Sequence, residues 1–118
     1  MSSSHEKSPA LRAALDGLAE GASVERTVLR DAVRELLAEL ARRAPGRSVE
    51  VRVPPYGAIQ CVEGPRHTRG TPPNVVETDP ITFLGLASGS VTWEEGLRTG
   101  RIRASGIRAD ISHLFPVF

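Results

Sequence analysis

The chain has 118 residues with a formal net charge of +1, 40% hydrophobic and 25% charged side chains, and mean hydropathy of -0.17. That length suits one compact domain with one core, and that charge supplies no whole-protein field for nucleic acid or an anionic membrane. With Cys61 as the lone cysteine no internal disulfide is available, and no apolar run is long enough to span a bilayer.

The opening MSSSHEKSPA is polar, lacks the apolar stretch of a signal peptide, and is expected to be a loose tail over residues 1–7. Together with the single cysteine this points to a cytoplasmic protein. A short helix is expected from Pro9 to Gly17, with Ser8 as N-cap and Pro9 in its first turn. Residues 24–44 predict the clearest helix. Leu29, Val33, Leu36, Leu37 and Leu40 form an amphipathic stripe, Glu39 and Arg43 make a favourable i,i+4 pair, and Pro45-Gly46 stops the helix.

Val49, Val51 and Val53 alternate with Glu50 and Arg52, as in a half-buried strand that Pro54-Pro55 ends. Tyr56 to Val62 reads as a second strand, residues 64–73 as a loop, and Asn74 to Thr78 as a third strand. Asp79-Pro80 starts a helix that is apolar nearly all round (Ile81, Phe83, Leu84, Leu86, Ala87) and therefore predicted to be buried, with Gly85 marking a close approach and Gly89 the stop. Thr92-Trp93-Glu94-Glu95 is a capping box opening a short helix that Gly100 ends. Arg101 to Ser105 predicts a strand with Ile102 and Ala104 on one face and Arg101 and Arg103 on the other. A last helix is expected from Ile107 to Phe115, its stripe made by Ile107, Ile111, Leu114 and Phe115. Strands and helices are partly segregated. The fold class is therefore α+β: a small mixed four- to five-stranded sheet covered on one face by helices.

The chain carries no Walker or G-x-G-x-x-G loop and no nucleophile elbow. Cys61 and His67 fall short of the three or four clustered ligands of a zinc site, and no nucleophile is paired with a base. The sequence thus predicts no catalytic residue, no metal, no cofactor and no enzyme. Fourteen arginines stand against Lys7 alone, but they are scattered rather than gathered into a patch.

The run DPITFLGLASGSVTWEEGLRTGRIRASGIRADISHLF, residues 79–115, resembles the C-terminal half of the sterol carrier protein superfamily. Asp79, Phe83-Leu84, Ser88-Gly89, the helix at Trp93 to Leu97, Gly100, the strand at 101–104, Ser105-Gly106 and the segment at 107–114 follow that family's order. The stretch VEVRVPPYGAIQCVEGPRHTRGTPPNVVETDP resembles a short actinobacterial branch, the bacterial orthologues of that superfamily. The resemblance implies an apolar pocket between helices and sheet that holds an acyl chain, a sterol or another hydrophobic small molecule without chemistry.

Phe83, Leu86, Trp93, Leu97, Ile102, Ile111 and Leu114 are the candidate lining; the alternative is that they are simply core. Arg66, His67, Thr68, Arg69 and Thr71 are the candidate polar rim for a ligand head group. The alternatives for this loop are a small-anion site of its own, from His67 to Pro73, or a plain connection whose arginines pair with Glu63 and Glu77. The apolar tail Phe115-Pro116-Val117-Phe118 either packs on the domain or supplies a homodimer or partner contact. Cys61 is expected to be a buried small hydrophobe.

Overall fold

The computed structural model describes residues 6–64 and 74–118. Helix α1 spans Pro9–Ala19, with Ser8 Oγ accepting the Leu11 amide at 3.1 Å as the sequence predicts. It runs past Gly17, the expected stop, and that residue lies where the returning chain brings Val24 close: a Cβ on Gly17 would sit 3.1 Å from Val24 Cγ2. Helix α2, Arg26–Arg43, buries Ala32, Val33, Leu36, Leu37 and Leu40 along the predicted stripe. Glu39 lies on the same buried face. It is held there by Arg42 Nη2 and Arg43 Nε, each 2.5 Å from Glu39 Oε2. Those charge-assisted bonds compensate the cost of removing a carboxylate from water.

Four strands form one mixed sheet in the order β2-β1-β3-β4: β1 Val49–Val53, β2 Gly57–Cys61, β3 Val75–Thr78 and β4 Ile102–Ser105. β1 pairs antiparallel with β2 and parallel with β3, and β3 pairs antiparallel with β4. The registers put Val51 beside Ile59 and Val76, and Thr78 beside Ile102, on the face that the helices cover. Arg52, Glu77 and Arg103 line up across the opposite, solvent-facing side. Helix α2 packs on β2, and the later helices complete the cover on that same face. The fold is α+β, with four strands rather than five among the described residues.

Helix α3, Pro80–Ser88, starts with Asp79 accepting the Thr82 amide at 3.0 Å and ends at Gly89 with φ +89°. Thr82 through Ala87 are all buried, so α3 runs through the core as its all-round apolar sequence predicts. Burying each of Phe83, Leu84 and Leu86 contributes about 2 to 3 kcal/mol. A Cβ on Gly85 would lie 2.6 Å from Val91 Cγ2, which accounts for the glycine there. Helix α4, Trp93–Arg98, is capped by Thr92 accepting the Glu95 amide at 3.1 Å. It turns Trp93 and Gly96 inwards, with Ile102 filling the space beside Gly96.

The expected last helix does not form. Residues 107–115 hold only a 3-10 turn at Ser112–Leu114. Gly106 takes φ +107°, and the Arg108 amide donates to Asn74 Oδ1 at 2.9 Å instead of to a preceding carbonyl of its own turn. Ile107, placed on the predicted apolar stripe, is 99% exposed, whereas Ile111 is buried.

Candidate functional site

A cleft of about 410 Å³ opens where the end of α3, the start of α4 and the C-terminal tail converge. Leu86, Val91, Trp93, Phe115 and Pro116 supply its apolar walls, and Thr92, Glu94, Ser112 and His113 its polar ones. The aromatic wall joins α4 to the tail, with Phe83 of α3 behind it in the core. Trp93 stacks on Phe115 at 6.3 Å between ring centroids and 15° between planes, and Phe83 meets Phe115 edge-on at 6.3 Å. Both geometries suit the quadrupoles of aromatic rings.

The tail that carries Phe115 is tied down on both sides. Val117 and Phe118 amides donate to the Ala87 carbonyl at 2.9 and 3.2 Å, and Arg43 Nη1 donates to the Val117 carbonyl at 2.7 Å. Val117 is buried, and Lys7 Nζ lies 4.4 Å above the Phe118 ring. Of the two roles weighed for the tail, packing is therefore visible, and Val117 is taken up by the fold. Below the polar wall, Asp110 accepts the Ser112 amide at 3.0 Å. Hydrogen bonds from Ser112, aided by the nearby His113, hold the Asp110 carboxyl below the usual carboxylate range.

A second groove, of about 510 Å³, runs between α1 and α3. Leu15, Leu18, Ile81, Leu84 and Val91 make it largely apolar, with Asp16, Ser88 and Ser90 at its margins.

The seven candidate lining residues divide. Leu86 and Trp93 face the first cleft. Phe83, Ile102 and Ile111 are core side chains, each at most 2% exposed, and border neither cavity. Leu114 is half-buried against the core, and Leu97 is 43% exposed on the outer side of α4. Gly89, Val91, Thr92, Glu94, Ser112, His113, Phe115 and Pro116 are the lining residues that the sequence does not assign to a pocket. The sequence shows Phe115 only on the stripe of an expected helix and in an apolar tail, and gives no signal for His113 as a wall residue.

Arg66, His67, Thr68, Arg69 and Thr71, the candidate polar rim, lie outside the described residues. Glu77, weighed as a partner for that loop, forms an ion pair with Arg103 at 2.8 Å. Cys61 is buried in β2, and burial pushes its thiol up to about 11, the behaviour of a structural rather than a reactive cysteine. Among the described residues no three His, Cys, Asp or Glu side chains gather as metal ligands, and no helix is long and apolar enough to cross a membrane.

Comparison with curated proteins gave no match. A family model described as bacterial SCP ortholog matches residues 25–117, from the residue before α2 to the buried valine of the tail. The match takes in the whole sheet and every wall of the aromatic cleft but leaves out α1, and with it one side of the α1–α3 groove. Fold, element order and family match agree: this chain belongs to the bacterial orthologues of the sterol carrier proteins.

Proposed function

We propose that this protein is a non-catalytic carrier of a hydrophobic small molecule, and that the aromatic cleft holds it. The observation that carries the proposal is the union of an apolar wall, Leu86, Trp93 and Phe115, with a polar one, Ser112 and His113, in one cavity of about 410 Å³. An amphiphile with a single acyl chain fits that pattern. Its chain would lie along the Trp93–Phe115 stack and its head group would meet Ser112 and His113. Transfer of the chain from water drives binding at about 0.8 kcal/mol per methylene buried. The cleft is preferred to the larger α1–α3 groove because all its walls fall within the family match.

Trp93 is the sole tryptophan, so its emission reports directly on the cleft. Delipidated protein titrated with a long-chain fatty acid should show a saturable emission change with about one ligand per chain. Unlabelled long acyl chains should reverse it and acetate should not. Phe115→Ala, checked for folding by circular dichroism, should weaken binding by about tenfold or more, given the apolar contact it removes. Absence of binding by the folded, delipidated wild type, or undiminished binding by Phe115→Ala, would reject the cleft as the carrier site.

A further inference from the structure

Charge is unevenly placed around the aromatic cleft. The chain has fourteen arginines and one lysine, yet among the described residues none of them lines the cleft. Its one formally charged lining residue is Glu94, in the first turn of α4 beside Trp93. Glu94 is exposed, and among the described residues no cation is paired with it. A second carboxylate, Asp110, stands next to the wall residues Ser112 and His113. The Ser112 hydroxyl and amide both donate to it, the amide at 3.0 Å, and hold it below the usual carboxylate range. With its proton turned to Asp110, the Ser112 hydroxyl has only its lone pairs left to offer the cleft. The other polar wall groups, the Thr92 hydroxyl and the His113 imidazole, carry no formal charge at pH 7.

An amphiphile whose chain lies along Trp93 and Phe115 places its head group among these residues. A carboxylate or phosphate there would sit near two carboxylates, with no guanidinium among the described residues to clamp it as anion sites commonly do. An ammonium would meet opposite charge at Glu94 and Asp110 and an acceptor oxygen at Ser112.

We infer that the cleft selects amphiphiles with a cationic, hydrogen-bond-donating head group, of the alkylammonium kind, over those with an anionic one. Such selection rests on the cleft being the carrier site, as proposed above, and adds the class of head group that it takes. Chain burial supplies most of the affinity, and the head group decides between ligands of equal chain length. Because Glu94 faces water, its contribution is that of an exposed ion pair, a severalfold change in affinity that salt weakens.

The test uses the emission of Trp93, the sole tryptophan, in titrations with dodecylammonium, dodecanol and dodecanoate. Each probe is kept below its micelle threshold, at pH 8 and low ionic strength. Dodecylammonium should bind tightest and dodecanoate weakest, with a ratio of about fivefold or more between the two ions. Added salt should shrink that ratio. Glu94→Gln, checked by circular dichroism, should bring it towards one. Glu50→Gln removes the same charge from the far face of the sheet, where Glu50 pairs with Arg52, and should leave the ratio unchanged. Dodecanoate binding as tightly as dodecylammonium would overturn the inference and leave the carrier reading in place. So would a ratio that Glu94→Gln leaves intact, that Glu50→Gln lowers equally, or that salt does not alter. Failure of all three probes to bind would instead reject the carrier reading, and the inference with it.

Discussion

Replacing Glu39 with glutamine keeps the shape of the side chain and removes its charge. In the native protein the carboxylate is nearly fully buried and bonded to both Arg42 and Arg43. The Arg42 hydrogen bond, opposed by burial and reinforced by the bond from Arg43, lowers its pKa from 4.5 to about 2. A folded-state pKa depressed below the unfolded value means that ionised Glu39 stabilises the fold. The stabilisation is complete above the unfolded value of 4.5 and disappears as pH falls through about 2. The interval corresponds to roughly 3 kcal/mol at neutral pH, and linkage leaves a little under half of it near pH 3. Glu39→Gln should therefore unfold at lower urea than the wild type at pH 7, by about that free energy. The gap should narrow below pH 4.5 and close near pH 2. Urea titrations followed by circular dichroism at several pH values measure it. A gap that stays constant from pH 7 to pH 2 would refute the assignment of this stability to the ionised carboxylate.

Asn74→Ala should cost about 2 to 3 kcal/mol. The buried amide group donates to the Ser48 carbonyl at 2.7 Å and accepts from the Arg108 amide at 2.9 Å, so both partners are orphaned at once. Denaturant midpoints measure the loss, and a change below about 0.5 kcal/mol would show that these bonds do not brace the turn after β4. Cys61 should resist a thiol reagent at pH 8 in the native state and react fully in denaturant, because it is buried with a thiol near 11. Reaction of the folded protein at the rate of a free thiol would contradict that placement.

Features whose causes are local were legible in the sequence. Ser8, Asp79 and Thr92 cap helices because each accepts an amide three residues on, and α2 and β1 show their buried faces through their periods. Features settled by distant partners were not. The spacing of Ile107, Ile111 and Leu114 suits a helix, yet Asn74, more than thirty positions earlier, takes the Arg108 amide and draws the segment into an open turn. Trp93 and Leu97 share a helical spacing, but the six-residue α4 buries Trp93 and Gly96 and leaves Leu97 facing water. The candidate cleft was half legible for the same reason. Leu86 and Trp93 belong to recognisable helices, whereas Phe115 and Pro116 reach the cleft only because the tail bonds to Ala87.

That bond makes α3 dependent on residues far along the chain. The carbonyls of a helix's last turn lack partners within the helix, and the Ala87 oxygen finds two in the amides of Val117 and Phe118. The final residues thus serve as a cap supplied from a distance. Fraying of the tail would expose the end of α3 and dismantle one wall of the cleft in the same step. Helix end, tail and cleft would open as one cooperative unit, so ligand seated against Phe115 would slow amide exchange at Val117 and Phe118.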